Sequence, residues 1–367
     1  MNKRWDIVVA GLSITSSWGN GHATTYRGLL REFAKRGHRI LFLERDVPWY
    51  AENRDINGLP FCQIGLYGSL EELRDRFRDS IRQCDAAILG SYVPEGVAVA
   101  DLLLREARGA VAFYDIDTPI TLAALRAGKC DYLAAETIPY FDLYLSFTGG
   151  PTLEQLETRF GAQRARALYC SADETLYYQE KVEPTCDLGY LGTYSPDRQK
   201  TLNALLVKVA RLCPGMRFMV AGPEYPNRSR WPANIGHIVH LSPKQHRDFY
   251  NSQRFTLNVT RARMIRAGYS PSVRLFEAAA CGTPVVSDFW VGLDSFFTPG
   301  REILVAHSTE ECRAILRRVS RAQREEIGRC ARKRVLREHT AAHRASELEK
   351  FLEEATAARR KSLRRAV

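Results

Sequence analysis

The chain predicts an α/β protein of two Rossmann-like domains, each a parallel sheet covered by helices. Three observations carry this. At 367 residues it is too long for one ordinary core and suits two. Strand-like and helix-like runs alternate through the first third, as parallel sheets require. The same alternation restarts after Cys186.

In order, Asp6–Gly11 (DIVVAG) is a β-branched strand, and residues 24–36 have the helical period. Gly37 ends that helix, and 38–44 (HRILFLE) is the next strand. Buried strands are expected at 86–90 (AAILG), 110–114 (AVAFY) and 143–147 (LYLSF), with helices at 69–83 and 96–105. After Cys186 the strands are 187–192 (DLGYLG), 217–222 (RFMVAG), 238–241 (IVHL), 255–259 (FTLNV) and 284–287 (PVVS). Helices fall at 197–212, 243–252 and 273–280. The expected domains are 1–175 and 186–340, facing across a cleft. A basic helical segment, 341–367, follows and crosses back to the first domain.

A hydrophobic share of 45% and a charged share of 26% are those of a folded soluble protein. No apolar run reaches the 18 or so residues of a membrane-spanning helix. Met1 to Asp6 leads straight into a strand with no secretory apolar core, so a cytoplasmic location is expected. Nine scattered cysteines, with no metal-ligand spacing, read as buried free thiols. The net charge is +11, and residues 311–367 carry 17 Lys and Arg against 8 Asp and Glu. These basic residues alternate with Glu and have few aromatics beside them. A solvated helix face is therefore expected, not a specific nucleic-acid surface, with weak membrane-surface contact as the other reading.

Ligands of open α/β sheets bind at the carboxyl ends of strands, so the loops there are the candidate sites. The first is SSWGNGHAT (16–24). Gly19 and Gly21 permit close backbone approach, and the following helix start suits phosphate. His22 reads as a phosphate contact or general base, or as a helix-capping residue. A dinucleotide fingerprint with Glu44 as the ribose acid is a further reading, but its glycines come about eight residues too late. Asp115 and Asp117, in YDIDTP, fall on one side of an extended chain and could serve an acceptor hydroxyl, or simply form a turn and cap. In the second domain, GTYSPDRQK (192–200) offers Thr193, a helix start, Arg198 and Lys200 to a diphosphate. Ser242 and Pro243 could hold the edge of a base. In GYSPSVRLFEAAACGTPVVSD (268–288) a helix opens after Pro271, with Ser270, Ser272 and Val273 at its positive end. Glu277 lies inside that helix as an acceptor for two ribose hydroxyls, or as a partner of Arg274. Arg261 and Arg263, after the 255–259 strand, are secondary candidates for the phosphate or an acidic acceptor.

LFEAAACGTPVVSD closely resembles the donor-binding signature of GT-B glycosyltransferases of the large group containing family 4. The resemblance implies a GT-B fold, Glu277 on the donor ribose, and Ser270, Ser272 and Val273 beside the phosphates. It also implies that Arg198 or Lys200 neutralises the diphosphate. WGNGHATTYRGLL, ERDVPWYAENRD, FYDIDTP and SPSVRLFEAAACGTP together resemble the CgeB-like spore-maturation branch. Where retaining members carry a further Glu, eight positions before the ribose Glu, this chain has Tyr269. The expectation is transfer of a sugar from a UDP- or dTDP-sugar to an unspecified acceptor, with no cofactor or metal. A nucleotide-sugar epimerase, an NAD-dependent oxidoreductase and a non-catalytic sugar-nucleotide binder are the alternatives.

Overall fold

The computed structural model describes residues 3–19, 21–226 and 228–365, with side chains described through residue 361. The chain divides into two compact units, Met1–Tyr169 with Ala341–Val367, and Cys170–Thr340.

The first unit begins β1 (Asp6–Gly11), α1 (Gly21–Lys35), β2 (Arg39–Arg45), α2 (Pro48–Glu52), β3 (Gln63–Tyr67) and α3 (Leu70–Gln83). It continues β4 (Ala86–Gly90), α4 (Gly96–Glu106), β5 (Ala110–Asp115), α5 (Thr118–Arg126), β6 (Leu143–Ser146), α6 (Pro151–Phe160) and β7 (Ala165–Ala167). All seven strands form one parallel sheet in the order β3-β2-β1-β4-β5-β6-β7. Every residue of β4 and β5 is buried, which is why their sequences are apolar runs without alternation. Strand order reverses between β1 and β4, and α1 packs closely over this point. A side chain at Gly90 would come within 2.1 Å of the Tyr26 hydroxyl.

The second unit begins β8 (Cys186–Leu191), α7 (Pro196–Leu202), a π turn at Asn203–Val207, α8 (Lys208–Leu212), β9 (Phe218–Ala221), β10 (Ile235–Ile238) and α9 (Pro243–Asn251). Next come β11 (Gln253–Asn258), α10 (Ala262–Ala267), α11 (Val273–Ala280), β12 (Val285–Ser287), β13 (Leu304–Val305), α12 (Thr309–Arg318) and α13 (Arg321–Glu338). Its sheet is also parallel, in the order β10-β9-β8-β11-β12-β13, and reverses between β8 and β11.

One strand lies earlier than its sequence predicts. The expected 238–241 is β10 at Ile235–Ile238, beginning just after Asn234. The Asn234 amide donates to the carbonyls of Ala210, Cys213 and Met216 at 3.0–3.1 Å, which fixes where the strand starts. Val239, beyond it, is exposed.

The last helix, α14 (Ala341–Arg365), belongs to the first unit and buries Leu348, Leu352 and Ala355 there. Arg36 pairs with its Glu349 at 2.8 Å, and its Arg359 pairs with Asp142 at 2.9 Å. Among the described residues no helix is long and apolar enough to cross a membrane.

Candidate functional site

In the first unit the loop after β1 is built by charge. Glu44, at the end of β2, is wholly buried. One of its oxygens accepts the amides of Ile14 (2.7 Å) and Thr15 (3.0 Å). The other accepts the hydroxyls of Ser13 (2.9 Å) and Thr15 (2.6 Å). Further along, Asp55 accepts a two-pronged bond from Arg27 (2.6 and 3.0 Å) and the Ser17 hydroxyl (2.7 Å). Arg27 also donates to the Ile14 carbonyl at 2.9 Å. The ERDVPWYAENRD segment is thus a brace under residues 13–17. Glu44, all of whose bonds go to that loop, is not a ribose ligand, and the dinucleotide reading loses its acid.

Gly19 (φ +60°) ends the loop and Gly21 opens α1; Asn20 lies outside the described residues. His22 follows, its ring tilted against Tyr92 with centroids 5.5 Å apart. Burial lowers the His22 pKa, and the nearby Asp117 charge partly opposes that. Tyr92, in the loop after β4, adopts φ +65°, a strained region for a bulky side chain. Its hydroxyl donates to Asp117 at 3.1 Å. His22, Tyr92 and Asp117 therefore form one group at the first sheet's switch point.

Asp115 and Asp117 part company. Asp117 is half-buried at the start of α5, whereas Asp115 is fully buried. Asp115 accepts from the hydroxyls of Tyr144 (2.6 Å) and Thr121 (2.8 Å) and from the Asp117 amide (3.2 Å). Burial raises its pKa to about 6. The expectation that both carboxylates face the same way is corrected: the turn into α5 sends Asp115 to the interior, where it organises neighbours.

In the second unit the central charge is Arg274, in the first turn of α11 and 7% exposed. Its Nε donates to the Leu191 carbonyl (2.6 Å), its Nη1 to Asn258 Oδ1 (2.8 Å), and the guanidinium lies over the Tyr190 ring. It is a buried cation whose hydrogen-bond partners are neutral oxygens. The expected alternative, a pair between Arg274 and Glu277, is not formed. Glu277, 3% exposed, instead accepts the Tyr250 hydroxyl at 3.0 Å. Burial, then the Glu277 charge, raises the pKa of Tyr250 and of Tyr177 well above the usual range.

Ser272 is the residue before α11, and its hydroxyl goes to Asn258 (2.7 Å) without capping the helix. The Val273 and Arg274 amides thus open the helix without a side-chain cap, as an anion-binding terminus does. Ser270 is buried. Tyr269 has φ +46°, and its amide donates to the Val291 carbonyl at 2.7 Å. In the loop after β8, Thr193 accepts from Arg198 at 2.7 Å, and the Arg198 Nε is buried without a partner. Lys200 is exposed on α7.

Ser242 and Pro243 start α9, and the Ser242 amide is bound by the Gln245 side chain at 3.1 Å. That amide is committed to the capping box, and Pro243 has no N–H, so neither offers a base an amide. Arg261 sits 3.6 Å from Asp197, and Arg263 is exposed. Tyr92, Asn258 and Tyr250 were not among the expected site residues. Tyr92 and Asn258 could have been found at or just after the carboxyl ends of strands; Tyr250, inside α9, carries no such signal.

Residues 198–350, most of the second unit and the start of α14, match the family described as glycosyl transferase-like. A search of curated proteins gave no match. Among solved structures, sucrose-phosphate synthase from Thermosynechococcus elongatus is similar at TM-score 0.70 and 15% identity, covering 97% of this chain and 100% of that one. Anabaena HepE in complex with UDP and glucose gives 0.69 and 11%, covering 96% and 100%. An alpha-glucosyltransferase in complex with UDP and a 13-mer DNA containing a HMU base gives 0.70 and 14%, again covering 96% and 100%. At such identities the likeness establishes the fold, which is GT-B.

Proposed function

We propose that the chain transfers a sugar from a UDP- or dTDP-sugar to an acceptor hydroxyl, with the donor held by the second unit. One observation carries this reading. Arg274, buried among neutral partners, and the uncapped start of α11 bring positive charge to the switch point, and Glu277 lies one turn further along. A diphosphate answers the charge and a ribose answers the carboxylate. UDP is the ligand named for two of the similar structures, which supports that choice of nucleotide.

In this mechanism the bond from the anomeric carbon to the diphosphate breaks as the acceptor oxygen bonds to that carbon. Arg274, Arg198 and the Val273 and Arg274 amides stabilise the departing negative charge. His22, kept neutral by burial, takes the acceptor proton, and Asp117 stabilises the imidazolium that forms. The steps as proposed run without a metal. The four motifs shared with the CgeB-like branch support placing the chain there, and a cytoplasmic site of action goes with that reading.

The test is a thermal-shift screen of UDP, dTDP, GDP, ADP and NAD against wild type and Glu277→Gln. A nucleotide at about a hundred times its Kd adds roughly 2.7 kcal/mol. UDP or dTDP is expected to stabilise the wild type, and the variant to lose most of that gain. Stabilisation by NAD alone, or by none, overturns the proposal. UDP release from UDP-glucose that needs no acceptor, with epimerised sugar as product, identifies an epimerase instead.

A further inference from the structure

The second sheet carries a cavity on the edge opposite the loops just described. About 690 Å³ in volume, it lies where the strands start. Residues 179–184 lead into β8, Arg254 is the second residue of β11, residues 281–284 lead into β12, and the first turns of α13 close the other side.

Four guanidinium groups line the cavity, and that of Arg329 is bound to Glu326 at 2.8 Å. Arg254 is bound to Asp187 at 2.8 Å, and Arg321 to Glu325 at 2.8 Å with Glu183 at 3.7 Å. Arg324 has no such partner. It is half-buried, and its Nη1 is buried with no hydrogen-bond acceptor. Burial first, then the charge of Arg254, lowers its pKa; Arg321 adds to this, and the charges of Glu325 and Asp187 oppose it without reversing the direction. The carboxylates of Glu180, Glu183 and Glu325 also line the cavity, yet none is within ion-pair distance of Arg324. Desolvating a guanidinium beside two like charges is unfavourable unless an anion joins them.

We propose that this cavity binds a small phosphate-bearing anion, with Arg324 as its central ligand and Arg254 and Arg321 beside it. A tetrahedral oxyanion supplies acceptors to several guanidinium N–H groups together, which a single carboxylate on this rim does not. The site is separate from the donor site but not isolated from it. Helix α11 carries Arg274 in its first turn and leads at its other end into Cys281 and Gly282, which line the cavity. An anion held here therefore bears on the helix that carries the donor ligands.

The test titrates inorganic phosphate into the full chain by calorimetry and thermal shift, with chloride at matched ionic strength as the reference. Wild type is expected to gain stability with phosphate, and Arg324→Gln to bind it about tenfold or more weakly. In phosphate-free chloride, Arg324→Gln is expected to melt at or above the wild type, because it removes an unpartnered cation from a basic cluster. Arg198→Gln, at the opposite edge of the sheet, is expected to keep the response. Co-sedimentation with phosphatidylcholine vesicles containing phosphatidic acid tells a lipid headgroup from a free phosphate: only the former carries wild type, and not Arg324→Gln, into the pellet. The site is overturned if phosphate acts no differently from chloride, or if Arg324→Gln responds as wild type does. It is equally overturned if that variant melts lower without phosphate, or if only Arg198→Gln loses the response.

Discussion

The Tyr92 hydroxyl donates to the Asp117 carboxylate at 3.1 Å while the Tyr92 ring lies against His22. One side chain thus touches both members of the proposed base pair, and its backbone is held at φ +65° to do so. A positioning role predicts that Tyr92→Phe lowers kcat by about tenfold, the worth of one hydrogen bond to a charged group. The KM for the donor should stay unchanged. A fall in KM-side affinity or a large loss of melting temperature would assign Tyr92 to packing instead.

The pH profile tests the base itself. Burial lowers the His22 pKa below the usual 6.5, so the neutral form persists into mild acid. The acidic limb of kcat/KM should therefore lie below the ordinary histidine range. Asp117→Asn removes the charge that holds this pKa up, and the limb should move to still lower pH as the maximal rate drops. A limb that moves to higher pH contradicts the assignment.

Glu44 is a structural carboxylate, and two substitutions should show it. Glu44→Ala strands the buried amides of Ile14 and Thr15 and should cost about 3 kcal/mol or more in urea unfolding. Glu44→Gln can keep its oxygen on the amides and turn its NH₂ toward the Ser13 and Thr15 hydroxyls, so it should cost far less. Equal losses would mean that charge, not hydrogen-bond geometry, holds the loop.

Asp115 should leave a signature in stability against pH. Its folded pKa is raised to about 6 from an ordinary 3.8. A raised pKa means that the folded state favours the protonated form, so its contribution is complete below pH 3.8 and is lost as pH rises through 6. The span is on the order of 3 kcal/mol. Asp115→Asn should remove this dependence, so its unfolding free energy should fall less than the wild type's between pH 4 and pH 6, as measured by denaturant titration.

Much of the fold is legible in the sequence, and the gaps share a physical cause. Every interior strand of both sheets falls where its apolar run predicts. The edge strands fared worse. β3 (QIGLY), β7 (ARA) and β13 (LV) go unpredicted, and β10 is displaced. An edge strand has one neighbour and a half-exposed face, so its composition need not be apolar, and its limits are set by its partner.

The sequence by itself determined the two parallel sheets, the loops that could bear a site, and the α11 segment with its Glu and Arg. These follow from local period, apolar runs and residue types at fixed spacing. Only the tertiary structure decided what each charged group does. It buries Asp115 and leaves Asp117 half-exposed, turns Glu44 onto its own loop, and gives Arg274 to the Leu191 carbonyl and Asn258 instead of Glu277. Charges within a few residues of each other had equal claim to a site on the page of letters. Which of them meets solvent, and which meets a partner from a distant strand, depends on contacts between residues far apart in the chain, and no local pattern encodes those.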